Sequence, residues 1–442
     1  MSGGEKEADV TGRVASLPPG THLAVVLEDG RRWEGWLIPR DPYSAADSLR
    51  LKLPSGYNIG LSLHETQSIE ELGGPLWGEE ARTVRREETT EESNGGAVSG
   101  GVAILTTGGT IASYVDYVTG GVKPVRGRRA LEALFPEVDG PIVLKEVFDI
   151  LSEDIGPGHW HRLGTEVKTL FDQGAKGVVI AHGTDTMAYT AGALAFQLRD
   201  LPGPVVMVGA QRSIDRPSSD GVFNMRCAVQ VAREADLGEV VVLMHGNPSD
   251  RTATFHRGTR VRKMHSTRRD AFRTLNQEPL GTVDTTITLN PDHRPRSPGK
   301  VRLEEGFDRR GRLLWIHPGL TPEAATAFTA GARGIVLAGT GMGHLASELV
   351  PWVQRTTESG VIVAMTTQCL GGTVDPYVYS RGRELLSAGV VYLGDMLPET
   401  AYVKLLWALH QSQSAGLVTK ILTTDLAGEM GERRPLIGGM PE

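Results

Sequence analysis

The sequence predicts an α/β protein: two doubly wound, mostly parallel sheet units preceded by a small all-β barrel domain. Three observations carry this reading. From residue 101 onward, short apolar runs alternate with alanine-rich or amphipathic stretches, the βαβ rhythm of a parallel sheet. Two of those runs, Val102-Ala-Ile-Leu-Thr-Thr-Gly-Gly-Thr-Ile-Ala112 and Val178-Val-Ile-Ala-His-Gly-Thr-Asp-Thr186, break into glycine and threonine turns. Open α/β sheets place their ligands at such strand ends. Residues 21–75, in contrast, hold paired short apolar runs with no helical stretch between them.

In chain order, His22-Leu-Ala-Val-Val-Leu-Glu-Asp-Gly30 and Arg31-Arg-Trp-Glu-Gly-Trp-Leu-Ile38 read as two strands around a Glu-Asp-Gly turn. Residues 49–53 and 57–63 form a second pair around Pro54-Ser55-Gly56. This first domain is expected over 1–77. Its stretch 21–75 carries eight Asp/Glu against five Lys/Arg, which favours a structural or protein-docking role over a phosphate-binding surface. Residues 78–98 are charged and aperiodic and read as a linker. The first α/β domain, 99–290, is expected to hold strands 102–106, 177–182, 204–209 and 239–245, with helices at 186–199 and 221–235. The rhythm breaks over 276–312, rich in Pro, Arg and Asp, and 291–312 is assigned as an interdomain connection. The second α/β domain, 313–442, is expected to hold strands 313–317, 334–339 and 361–366. Its helices are expected at 322–330, 347–359, 380–388 and 399–411.

Composition narrows the functional classes. At 442 residues the chain has room for two or three cores. A net charge of −7 argues against a protein that coats nucleic acid through overall charge. Only Cys227 and Cys369 occur, so a disulfide framework is not expected and a reducing compartment fits. The polar N-terminus lacks a signal-peptide core, and no apolar run approaches the ~20 residues of a membrane span. A soluble, cytoplasmic protein is the expectation, with no membrane partner.

The chemistry concentrates in three stretches. Gly108 and Gly109 let the backbone turn sharply with its N–H groups free, and Thr110 would hold a hydroxyl at the mouth of the crevice. Alone, this turn also fits a phosphate loop, although the Gly-Lys-Ser/Thr ending is absent, or a bend without function. Asp185 follows Gly183 and Thr184 at the end of a second apolar strand. A carboxylate there is a helix N-cap or a functional group, and the flanking hydroxyls of Thr184 and Thr186 exceed what capping requires. The third stretch, residues 251–273, carries eight Lys/Arg and one acidic residue. Such a run is by default a solvated face. Beside a site it also steers anionic substrates or faces a partner, and it is a candidate for nucleic-acid contact. Within it, a shielded Lys263 can lose its proton and act as a base.

Thr107-Gly-Gly-Thr-Ile111, His182-Gly-Thr-Asp-Thr186 and Lys263 in Arg-Lys-Met-His-Ser resemble, in order, the motifs of the L-asparaginase/glutaminase family, and the likeness extends over about 101–442. The resemblance implies an asparaginase-like two-domain fold and amide hydrolysis through a threonine nucleophile. By position, Thr110 is similar to the nucleophile and Tyr117 to its flexible-lid partner. Thr184, Asp185 and Lys263 correspond to the second catalytic set. The resemblance further implies a substrate-binding set of Gly109, Ser152, Glu153, Gly183 and Asp185. Ser152 would meet the substrate α-carboxylate and Asp185 its α-ammonium. No metal is expected.

The N-terminal barrel, the linker, the long 290–312 segment and the ending Thr423-Thr-Asp-Leu-Ala-Gly-Glu-Met430 resemble a branch of that family, the D subunits of archaeal-type glutamyl-tRNA(Gln) amidotransferases. That likeness implies a glutaminase releasing ammonia from glutamine or asparagine for a partner E subunit, which amidates Glu-tRNA(Gln) with ATP. It also implies a homodimer within a heterotetramer. No cofactor is expected in this chain, with ATP and Mg on the partner subunit. Two other readings compete: a stand-alone cytoplasmic L-asparaginase, and a scaffold or RNA-binding protein with a vestigial site. The Gln368-Cys-Leu-Gly-Gly372 turn is read as structural or as an interface contact.

Overall fold

Four aliphatic strands, buried on both faces, make the centre of the largest sheet. Their sequences are near-continuous apolar runs because helices cover both sides. In the computed structural model, the residues described are 14, 16–18, 20–38, 47–53, 58–73, 98–108, 113–116, 121–124, 142–212 and 219–431. The Pro54-Ser55-Gly56 turn, the linker over 78–97, Gly109, Thr110 and Tyr117 lie outside the described residues.

The N-terminal domain is an antiparallel sheet of β1 (His22–Leu27), β2 (Arg32–Leu37), β3 (Ser48–Lys52), β4 (Asn58–Ser62) and β5 (Thr66–Gly73), in the order β4-β3-β2-β1-β5. Alternate residues of β1, Leu23, Val25 and Leu27, join Leu37, Leu49, Leu51, Leu61 and Ile69 in one core. The sequence reading does not anticipate β5. It is an edge strand with only Thr66 and Ile69 buried, so it lacks the apolar alternation that marks the others.

The first α/β unit contains β6 (Val102–Thr106), a hairpin of β7 (Ser113–Asp116) and β8 (Gly121–Pro124), then β9 (Ile142–Glu146), α1 (Pro157–Asp172), β10 (Gly177–Ala181) and α2 (Met187–Gln197). It continues through β11 (Leu198–Arg199), β12 (Val205–Val208), α3 (Gly221–Glu234), β13 (Val240–His245) and β14 (Ala253–Arg257). A ribbon of β15 (Val261–Lys263) and β16 (Phe272–Thr274) and strands β17 (Gly281–Val283) and β18 (Ile287–Leu289) follow. The eight-stranded sheet runs β9-β6-β10-β12-β13-β14-β17-β18. The first five strands are parallel and the last three antiparallel. Ala103, Leu105, Val178 and Ile180 face α1 and α2, whereas Val102, Ile104, Val179 and Ala181 face α3. This period-two split makes the unit doubly wound.

Strand order locates the crevice. The chain leaves β6 toward β9 on one side and leaves β10 toward β12 on the other. The carboxyl ends of β6 and β10 therefore flank a topological switch point, where an open α/β sheet leaves room for a ligand.

Three local expectations change. The helix expected over 186–199 stops at Gln197, because Leu198–Arg199 pairs with β19 (Arg302–Leu303) of the connecting segment. The break expected from 276 begins later, since β17 and β18 extend the first sheet to Leu289. Elements α1 and β9 are unanticipated. β9 is an edge strand with no fully buried residue, and α1 mixes its buried Trp160, Leu163, Val167 and Leu170 with charged positions.

The second unit has a parallel sheet β20-β21-β22-β23, formed by Gly311–Trp315, Gly334–Gly339, Ile362–Thr367 and Val391–Tyr392. Its helices are α4 (Pro322–Phe328), α5 (Val350–Glu358), α6 (Ser380–Ser387), α7 (Pro398–Gln411) and α8 (Ala415–Thr423), the last unanticipated. The two units share a core: Trp160, Ala193 and Phe196 pack with Val336, Ala401, Leu405 and Ala408, and Phe196 stacks on Trp407 at 6.0 Å. Residues 425–431 reinforce this junction. The Leu426 carbonyl accepts from Arg199 and Arg294, Ala427 from Thr259 and Gly428 from Arg260. Glu429 anchors the segment through a fully buried pair with Lys404 and accepts the N–H groups of Leu426 and Ala427.

Removing one partner of a buried pair strands the other charge. Glu429→Ala is expected to cost about 3–5 kcal/mol in urea unfolding, and the double change Lys404→Met/Glu429→Leu clearly less.

Candidate active site

The motif loops meet at the switch point. Thr107, directly after β6, donates both its N–H and its hydroxyl to the Ala181 carbonyl of β10, each at 3.1 Å. Gly108 has φ +93°, and a Cβ there would stand 2.4 Å from the Ile150 carbonyl oxygen, so only glycine fits between this loop and the one after β9. The β10 loop closes on the same place. A Cβ on Gly183 would lie 2.7 Å from the Cβ of Ser152, and the Thr186 hydroxyl donates to the Ser152 carbonyl at 2.6 Å. Ser152 is buried, with its hydroxyl 3.4 Å from a Glu153 carboxylate oxygen, whereas Glu153 itself is exposed.

Lys263 completes the cluster from across the chain. Its ammonium donates to Thr184 Oγ1 at 2.8 Å and to Asp185 Oδ1 at 2.6 Å. Thr184 is buried, Lys263 is largely covered, and the Asp185 side chain is 69% exposed. The group thus joins a covered ammonium to an open carboxylate. Asp185 is not the helix cap: the N-cap position of α2 is Thr186, whose hydroxyl is spent on Ser152.

The structure therefore brings Thr184, Asp185, Lys263, Ser152, Glu153 and Gly183 to one edge of the sheet. Gly109, Thr110 and Tyr117 lie outside the described residues, with Thr110 two positions beyond Gly108. Among the described residues no group of three His, Cys, Asp or Glu could hold a metal ion. Burial pushes the Cys227 thiol up to about 11, which leaves it a poor nucleophile.

Other residues at this edge escaped the sequence reading. Gly209 lies under Thr184, where a Cβ would come within 2.7 Å of the threonine methyl. The Gly209 carbonyl accepts from Asn224, and Asp220 gathers the N–H groups of Gln211 and Arg212. His245 stands between Asn224 Oδ1 at 2.6 Å and Asp250 Oδ1 at 2.8 Å. The Asp-Gly step before α3 is the single local signal for this scaffold.

The basic run is redistributed by folding. Arg257 is buried against Glu239 and Arg260 against Asp395, and the half-buried Arg262 pairs with Glu399. Arg268 and Arg273 share Asp270, and Arg269 pairs with Asp250. The run expected as a solvated or anion-steering face is thus largely neutralised, by Asp270 within it, by Asp250 beside it and by acids from elsewhere in the chain. The Gln368–Gly372 turn proves tied down as well: Asn276 donates to the Gly372 carbonyl and accepts its N–H, and Gln368 donates to Ile316 and Ala338.

His182, at the start of the β10 loop, is fully buried. Its Nδ1 donates to the Gly183 carbonyl, so its Nε2 accepts from Thr190, which fixes the neutral tautomer. Burial holds it down to about 4, and burial with the nearby Arg273 charge holds His256 down to about 3.

Compared with known proteins, residues 101–295 match the family model "Asparaginase, N-terminal" and residues 312–422 the "Glutaminase/Asparaginase C-terminal domain". Among solved structures, the thermostable L-asparaginase from Thermococcus kodakarensis superposes with a TM-score of 0.68 at 33% identity, covering 75% of this chain and 99% of that one. L-asparaginase I from Vibrio cholerae gives 0.66 at 30%, covering 75% and 98%. The two α/β units thus define an asparaginase-fold protein. Residues 17–72 match a further model, the "GatD N-terminal domain". The D subunit of the glutamyl-tRNA(Gln) amidotransferase from Pyrococcus horikoshii is 43% identical over 93% of this chain and 94% of its own length. That from Metallosphaera sedula is 45% identical over 93% and 92%. The chain belongs to the family of glutamyl-tRNA(Gln) amidotransferase D subunits, asparaginase-like subunits that carry an additional N-terminal β domain. No helix among the described residues is long and apolar enough to cross a membrane.

Two outcomes follow from this geometry. Gly183→Ala must push the β10 loop off Ser152; we expect a stability loss of about 1–3 kcal/mol and at least a roughly tenfold fall in kcat, read by urea unfolding and amide hydrolysis. The buried histidines set a pH slope. The unfolded chain takes up their protons near 6.5, the folded chain only near 4 and 3, so their contribution is complete above pH 6.5 and is lost as pH falls below it. His256→Gln should flatten the stability–pH slope between pH 6.5 and 4.

Proposed function

We propose that the chain is the amidase subunit of a tRNA-dependent amidotransferase, releasing ammonia from glutamine or asparagine. The observation that carries this reading is the bridge of Lys263 to Thr184 and Asp185 at the carboxyl edge of the sheet. A carboxamide resists attack, so a hydroxyl must lose its proton as it forms an acyl-enzyme, and Thr110 is the residue we assign to that step. Tyr117 is assigned as its lid partner. Backbone N–H groups around Gly109 and Thr184 would face the oxyanion. Threonine is stiff at χ1, which suits a nucleophile that must keep its aim.

In this reading the substrate α-carboxylate meets Ser152, with Glu153, Gly109 and Gly183 lining its seat, and the α-ammonium meets Asp185. The exposed Asp185 carboxylate suits that role. A substrate cation there would compete with Lys263 for the carboxylate and favour release of the lysine proton toward base catalysis. Thr184, relayed to Lys263, then positions the water that frees the acid.

The ammonia passes to a partner E subunit that converts Glu-tRNA(Gln) to Gln-tRNA(Gln) with ATP and Mg held on that subunit. No cofactor is assigned to this chain. The tRNA is engaged mainly through the complex, a homodimer within a heterotetramer, in the cytoplasm. The reading as a stand-alone asparaginase fits less well, because the L-asparaginase structures cover 75% of this chain, while the D subunits match over 93%.

The test is glutamine hydrolysis by the purified full chain, with and without the E subunit and Glu-tRNA(Gln). Weak activity alone and stimulation by the complex are expected. Thr110→Ala and Lys263→Ala are each expected to lower kcat on the order of a thousandfold. Full activity from the isolated chain, unchanged by the partner, would favour the stand-alone reading.

A further inference from the structure

Lys263 ends a strand that the main sheet does not hold. Among the described residues, β15 pairs only with β16, and a two-stranded ribbon is marginal by itself. Val261 and Phe272, the cross-strand partner of Lys263, bury one face of the ribbon in the first core, but its polar face is gripped by the other α/β unit. Three successive contacts do this from one segment, residues 395–402. Arg260 donates to Asp395 at 2.8 Å, the Thr400 hydroxyl donates to the Thr259 carbonyl at 2.8 Å, and Arg262 Nε meets Glu399 Oε1 at 2.8 Å.

The same segment touches the opposite wall of the site. Tyr402 packs edge-on against Tyr189 of α2 at 6.5 Å, three residues after Thr186. Glu399 sits in the first turn of α7, where the helix N-terminus favours a carboxylate, and it is nearly buried. Its second oxygen has no hydrogen-bond partner among the described residues, so the pair with Arg262 is what orients it. Adjacent residues of a strand point to opposite faces. Fixing Arg262 toward α7 therefore fixes the roll of β15 that directs Lys263 to Thr184.

We propose that Glu399 is a positioning residue for Lys263: it holds Arg262 on one face of β15 and thereby aims the lysine from the other, so the second α/β unit sets the geometry of a site built on the first. This rests on the reading of Lys263 as a working group of the amidase.

Glutamine hydrolysis by the full chain tests it with Glu399→Gln, Arg262→Gln and the double variant, each checked for folding by circular dichroism. A positioning role lowers kcat about tenfold in either single variant with KM within about twofold. It leaves the double no slower than the worse single, because both changes cut one link. Should Glu399→Gln fail to fold, Arg262→Gln alone decides by the same kcat and KM readout. A folded variant with kcat within twofold of the parent, a loss confined to KM, or losses that multiply in the double would overturn the proposal. Lys263→Ala separates the two levels. If it stays active, the amidase reading falls; if it is inactive while Glu399→Gln is unaffected, only the positioning role falls.

Discussion

The ammonium of Lys263 has two acceptors in reach, a buried hydroxyl on one side and an open carboxylate on the other. That arrangement constrains much of the fold around it. Thr184 and Asp185 must leave β10 at the switch point, which requires β6 beside β10 and connections that diverge from them. Gly108, Gly183 and Gly209 each keep a Cβ out of a gap already filled by a neighbouring loop. The lysine itself must return from the far side of the sheet. It does so along α2, where Gly258 packs against Ala191 before β15 rises to the site.

The return is secured by charge rather than by a β-ladder. Arg257, Arg260 and Arg262 are drawn inward onto Glu239, Asp395 and Glu399, and Lys404 onto Glu429. Buried pairs of this kind add little net stability over apolar packing, but a wrong arrangement that leaves one charge alone is expensive. Two of them, Arg260–Asp395 and Arg262–Glu399, join the first unit to the second and therefore favour a single relative placement of the two units. The shared apolar core supplies the bulk of the attraction.

The N-terminal domain stands apart in this logic. Its five strands enclose their own small core, and the L-asparaginase structures cover 75% of this chain. The D-subunit relatives extend over 93% of the chain at 43–45% identity, so the domain travels with that branch of the family rather than with the amidase fold as such.

Local patterns alone determined the parallel strands, the diverging glycine turns and the motif residues Thr184, Asp185 and Lys263, because burial on both faces and backbone turning demand particular residue types over a few positions. The edge strands β5 and β9 were not legible for the same reason: a half-solvated strand needs no apolar run. Tertiary structure alone decided that most of a run of eight basic residues is ion-paired, because some of its acids come from positions up to 137 residues away in sequence, as with Arg262 and Glu399. It also decided that Ser152 packs on Gly183 and that α7 reaches β15. A charge in a sequence carries no record of its partner; only the folded chain, by burying both, makes the pairing compulsory.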